Sequence, residues 1–100
     1  MAYKIRIEAA AEADLQRIYL WISQHASPVV ARAYVNRIVG YLSGFDQFPE
    51  RGSLRNEIRP GLRIIGFRRR VSIAFMVEAD EVIVLRILYG GQQLSFDDDL

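Results

Sequence analysis

"VSIAFMVEADEVIVLRILY", residues 71–89, decides the fold. Two runs rich in β-branched and aromatic residues flank "EADE" at 78–81, which reads as a hairpin turn. In the first run Val71, Ile73, Phe75 and Val77 share one face, opposite small Ser72 and Ala74, the period-two pattern of a strand. The second run, "VIVLRILY", is apolar on both faces, as a strand inside a sheet should be, with Arg86 the exception. Upstream, "GLRIIGF" at 61–67 reads as another strand, joined to this hairpin through Arg68, Arg69 and Arg70.

Outward from that sheet, the first half of the chain changes period. "YKIRIE" at 3–8 still alternates, with Tyr3, Ile5 and Ile7 on one face of a half-buried strand. From residue 9 to 25 the composition favours helix, and Ala11, Leu15, Ile18 and Ile22 recur at helical spacing. Glu12 and Asp14 fall in the first turn, where the helix dipole favours carboxylates and solvent normally covers them; His25 falls at the opposite end. A second helix begins at Ser27, a good N-cap, with Pro28 at the first helical position, where its missing N–H has no partner to lose. Its apolar stripe is Tyr34, Ile38, Tyr41 and Phe45, and Pro49 and Gly52 end the helical half. So few residues separate the helices that they must form an antiparallel hairpin. The expected order is β-α-α-β-β-β: an α+β domain over residues 1–96, a helical hairpin on a mainly antiparallel sheet, followed by an acidic tail at 97–100.

Composition narrows the function classes. At 100 residues, 51% hydrophobic and 25% charged, the chain reads as one ordinary globular domain. The absence of cysteine excludes a disulfide framework and thiolate metal sites, and fits a cytoplasmic protein. Charged residues from position 4 onward argue against a secretory signal, and no apolar run is long enough to span a bilayer. The net charge of +1 conceals an asymmetry: residues 51–70 hold seven arginines against Glu57, whereas 71–100 hold Arg86 against six acids. Arginine's planar fork suits carboxylate or phosphate partners, although biased base composition would produce the same skew.

Little of the usual enzymatic chemistry is present. One histidine and no cysteine leave no metal cluster and no Cys/His pair, so neither metal nor cofactor is expected. The remaining candidates are Arg59, Arg63, Arg68, Arg69, Arg70, Arg86 and Tyr89. Arg86 is the most unusual, because a charge on an apolar strand must snorkel out, pair with an acid such as Glu78 or Glu81, or line a functional concavity. Arg59 and Arg63 could share a face and join the Arg68–Arg70 turn as one basic surface, or that turn could simply be solvated. Tyr89 is either an amphipathic edge of the core or a proton donor in metal-free RNA cleavage.

Taken in order, "AEADLQRIYLWISQHASPVVARAYVNRI" (11–38), "FPERGS" (48–53), "RPGLR" (59–63) and "SIAFMVEADEVIVLRILYGG" (72–91) resemble the RelE/ParE superfamily of bacterial toxins from type II toxin–antitoxin systems. The β-α-α-β-β-β order is also that superfamily's core fold. RelE-type members cut mRNA in the ribosome with basic residues on the sheet and a tyrosine in a C-terminal extension. This chain has a single lysine, Gly91-Gln92 where those members carry a basic residue, and acids after Phe96. It is therefore more similar to the ParE branch, although that branch commonly has histidine where Tyr89 stands.

The resemblance implies a poison of DNA gyrase, held inactive by a ParD-like antitoxin whose disordered segment folds across the toxin. It implies no cofactor and no catalytic residue. Arg59, Arg63, Arg68–Arg70, Arg86 and Tyr89 then fall on the antitoxin- or target-binding surface. The alternative is a ribosome-dependent mRNA interferase using Arg63, Arg86 and Tyr89, and a third reading is a chain retaining only antitoxin binding. A near-neutral charge without a recognition helix argues against direct sequence-specific DNA binding.

Overall fold

The computed structural model describes residues 2–90. Gly91 to Gln93 and the acidic stretch 97–100 lie outside the described residues. Strand β1 (Lys4–Ile7) leads into helix α1 (Ala9–His25) and helix α2 (Pro28–Ser43), which ends in a 3-10 turn over Gly44–Asp46. Four strands follow: β2 (Ser53–Leu54), β3 (Arg63–Phe67), β4 (Val71–Glu78) and β5 (Glu81–Tyr89). They form one sheet in the order β1-β5-β4-β3-β2, antiparallel except where β1 runs parallel to β5.

The α+β architecture and element order agree with the sequence, with one addition. β2 is only two residues long, paired through Ser53 with Ile64 and Leu54 with Arg63, too short for an alternation to register. Ser27 caps α2 as expected, its hydroxyl oxygen accepting the Val30 N–H at 3.2 Å. The helical hairpin covers one sheet face. Ala11, Ile18 and Ile22 of α1, with Ala31, Ile38 and Leu42 of α2 and Phe45 after it, meet Val71, Ile73, Phe75, Val82, Val84 and Ile87. Leu15, Tyr34 and Tyr41, expected on the same stripes, are only partly buried at its margin.

β5 carries an irregularity that positions everything below. Phe75 pairs with Val84, yet Ala74 pairs with Arg86, so Leu85 is an extra residue with no partner opposite. The bulge changes which residues face the helices, from Val82 and Val84 to Ile87 and Tyr89. A regular strand would have put Val84, Arg86 and Leu88 on one face. The bulge therefore lets an arginine sit in an apolar run without breaking the core.

Candidate functional site

Asp14 is the only charged residue buried among those described, at 3% exposure. The expectation that the acids of α1 are solvated holds for Glu12, which is exposed, and fails for Asp14. Arg86 reaches it with two hydrogen bonds, Nε to Oδ2 at 2.8 Å and Nη2 to Oδ1 at 3.0 Å. The Ile87 backbone N–H donates to Oδ2 at 2.8 Å, and Arg17 Nη2 donates to Oδ1 at 2.6 Å. The acid bound to Arg86 is thus Asp14, not the nearby Glu78 or Glu81; Glu81 lies 3.5 Å from Arg6 instead.

The arrangement follows from where β1 stops. β1 pairs with β5 only over Glu81–Val84, and the chain then turns into α1, whose Glu8 N–H still bonds to the Val84 carbonyl. Beyond that point the β5 edge has lost its neighbouring strand. A carboxylate from the second turn of α1 takes the Ile87 N–H there, which satisfies a backbone donor that burial would otherwise strand. Burial by itself raises the Asp14 carboxyl. The hydrogen bonds from Arg86, Ile87 and Arg17 outweigh that desolvation and hold it below the ordinary carboxylate value.

Above this ion pair opens a pocket of about 380 Å³, lined by Asp14, Arg17, Ile18, Trp21, Arg70, Tyr89 and Gly90. Its aromatic wall is Trp21 of α1 and Tyr89 of β5, each backed by a further ring. His25 stacks on Trp21 with ring centroids 3.8 Å apart, and its Nδ1 donates to the Trp21 carbonyl at 2.8 Å. Trp21 leans on Tyr89 at 5.5 Å, and Tyr34 of α2 meets Tyr89 edge-on at 5.8 Å. The Tyr34 hydroxyl is buried without a hydrogen-bond partner. Its desolvation, and then the neighbouring Tyr89, raise its pKa against the opposing pull of Arg68 and Arg70.

The β3–β4 turn delivers the cations. The Gly90 N–H bonds to the Arg70 carbonyl at 2.8 Å, which fixes the turn beside the end of β5. Arg68 and Arg69 have φ of 52° and 64°, the left-handed region that glycine or asparagine occupies at little cost. Bulky residues there cost about 1 kcal/mol or more each, and such strain gathers at functional positions. The Arg68 guanidinium lies over the Phe67 ring, 5.4 Å from its centroid.

Of the residues singled out in the sequence, the structure brings Arg70, Arg86 and Tyr89 to this site, with Arg68 and Arg69 beside it. Arg63 and Arg59 lie elsewhere. Arg63 begins β3 whereas Arg68–Arg70 follow its end, and Arg63 Nη1 donates to the Arg51 carbonyl at 3.4 Å. The single basic surface joining all five is therefore split between the two ends of β3. Asp14, Arg17 and Trp21 were missed as site residues. Only helical spacing linked them, because positions 14, 17, 18 and 21 share one face of α1. Among the described residues no group of three His, Cys, Asp or Glu side chains is placed to hold a metal ion, and no helix is long and apolar enough to cross a membrane.

Comparison with known proteins adds an independent line. Residues 5–94 match the family described as the ParE toxin of type II toxin–antitoxin system, parDE. Toxin ParE3 of Caulobacter vibrioides is 30% identical over 82 residues, covering 82% of this chain and 81% of that protein. A chain of the chromosomal ParDE toxin–antitoxin system from P. aeruginosa superposes with a TM-score of 0.78 at 28% identity, covering 89% of this chain and 97% of that one. A chain of the RelBE2 toxin–antitoxin complex from Mycobacterium tuberculosis shares the fold, with a TM-score of 0.54 at 19% identity over 89% of this chain and 99% of that one.

Proposed function

Because the chain belongs to the ParE toxin family of type II toxin–antitoxin systems, we propose that it arrests growth by binding DNA gyrase in the cytoplasm and is neutralised by a ParD-like antitoxin. It acts as a binding inhibitor, without cofactor or catalytic residue.

One observation favours binding over RNA cleavage. Cleavage without a metal needs a cation and a proton-transfer group converging on one phosphate. Arg63 pairs with Phe75 and Tyr89 with Val71, four residues apart along β4, or about 13 Å. Arg86 spends Nε and Nη2 on Asp14. The three groups of the interferase reading therefore do not meet over one phosphate.

The test is pulse-labelling of DNA and protein synthesis after this chain alone is induced in bacteria. Early arrest of DNA synthesis with filamentous cells and continuing translation is expected. Immediate loss of translation with cut mRNA overturns the reading in favour of the interferase. Unimpeded growth with folded protein present leaves only the antitoxin-binding role.

A further inference from the structure

We propose that two copies of this chain associate weakly about a two-fold axis at the free edge of β2, with Leu54 of one copy pairing with Leu54 of the other. The proposal does not rest on the toxin reading above.

Among the described residues, three of the eight exposed large apolar side chains fall between positions 48 and 58, around β2. Phe48 is 84% exposed, Leu54 48% and Ile58 39%. Phe48 is held out into water by a fixed loop. Its φ is 51°, in the left-handed region that asparagine occupies at less cost than a bulky residue. Arg51 clips the loop in that shape. Its Nε donates to the Phe48 carbonyl at 2.9 Å, and its Nη2 to the Gly44 and Gln47 carbonyls at 2.7 Å each. The same guanidinium lies over the Phe45 ring, 4.8 Å from its centroid. Within one copy the Phe48 ring gains nothing from this strain. A rigid loop that displays an aromatic side chain suits a contact outside the chain.

β2 supplies the backbone half of the contact, as the last strand of the sheet. The Arg55 N–H donates to the Leu62 carbonyl at 2.7 Å, and Ser53 pairs with Ile64. Backbone groups alternate in direction along a strand, so Leu54, between them, turns its N–H and carbonyl away from the sheet. Two antiparallel copies exchange both N–H···O bonds at one such residue pair, which places Leu54 on the axis. Because β2 is two residues long, the contact closes on itself instead of growing into a filament.

Charge selects a second copy over a strongly acidic or basic partner. Positions 48–59 mix Glu50 and Glu57 with Arg51, Arg55 and Arg59, and Arg55 already bonds Glu57. Antiparallel pairing about Leu54 runs the part before the axis past the part after it. Acids of each copy then meet arginines of the other, and Phe48 meets Ile58.

Sedimentation equilibrium of the purified full chain over a wide concentration range tests this. A monomer–dimer equilibrium is expected, weakened roughly tenfold or more by Phe48→Asn. Asparagine suits the left-handed backbone, so this variant, melted dilute, is expected to unfold at no lower temperature than the parent. The chain has no cysteine, so Leu54→Cys adds a single thiol. Residues opposed in this way have Cα atoms about 5.5 Å apart, within disulfide range, so mild oxidation should cross-link the variant. Leu20→Cys, 56% exposed on α1, is expected to cross-link far more slowly.

A chain that stays monomeric throughout that range overturns the proposal. So does a dimer that Phe48→Asn leaves intact, a dilute Phe48→Asn that melts lower, or cross-linking of Leu54→Cys no faster than that of Leu20→Cys. None of these readouts needs growth arrest. A dimer in a chain that leaves DNA synthesis untouched refutes the toxin reading alone, and a monomer that arrests DNA synthesis refutes the dimer alone.

Discussion

Asp14 and Arg86 stand 72 residues apart in the chain and form a two-pronged ion pair, with side chains 3% and 15% exposed. The pair closes the β5 edge where β1 ends, and its carboxylate lines the pocket together with Trp21 and Tyr89. Each partner sits in a different state of dependence on the other. Arg86 loses the counter-charge it holds through Nε and Nη2 if Asp14 goes, whereas Asp14 keeps Arg17 and the Ile87 N–H if Arg86 goes.

That asymmetry sets the first expectation. Asp14→Ala should cost about 3–5 kcal/mol, because it removes the carboxylate that faces the part-buried Arg86 guanidinium and accepts the buried Ile87 N–H. Arg86→Met should cost clearly less. Urea melts of both variants and of the double variant check this, and equal losses in the two single variants would mean that Arg17 contributes nothing to holding Asp14.

Acid should reveal the same carboxylate. Its folded pKa lies below the ordinary value of 3.8, so the unfolded chain takes up the proton first as pH falls. The stabilisation is fully present above pH ~4 and is lost as pH drops through the folded value. Asp14→Asn should therefore flatten the acid limb of a stability-versus-pH curve. An unchanged limb would assign the loss to other carboxylates.

Tyr34 offers a gain. Its hydroxyl is buried with no hydrogen bond, so Tyr34→Phe removes a desolvated polar group without breaking a contact. The variant should be as stable as the parent or more so, by up to about 1 kcal/mol. A loss of that size in thermal melts would reveal a bonded hydroxyl.

Two glycines should respond in opposite directions. Gly52 has φ of 71°, and a Cβ there would overlap the Ile64 carbonyl against which β2 is registered. Gly52→Ala should destabilise by more than about 1 kcal/mol, adding backbone strain to a backbone clash. Gly40 lies inside α2 with open space around it, so Gly40→Ala should stabilise by about 0.5–1 kcal/mol. Paired melts of the two variants check both signs.

What could be read directly from the residues was local. Alternation over 71–77, apolar residues at helical spacing in α1 and α2, and the Ser27–Pro28 start each depend on a few neighbours. Together they determined every element but the two-residue β2, along with the helical hairpin and the mainly antiparallel sheet. They also drew notice to Arg86, because a charge inside an apolar strand demands an explanation whatever the fold.

The explanation itself was not local. Which acid meets Arg86 depends on β1 lying beside β5, on its ending at Ile7, and on the Leu85 bulge re-aiming the strand, and none of these leaves a mark at position 86. Glu78 and Glu81 were the near candidates along the chain, while Asp14 looked like one more carboxylate favoured by a helix dipole. In the same way, seven arginines in twenty residues read as one surface until the length of β3 separated them. Periodicity follows from the geometry of each element and is written in the sequence. The partner of a buried charge follows from how elements dock, and only the tertiary structure decides it.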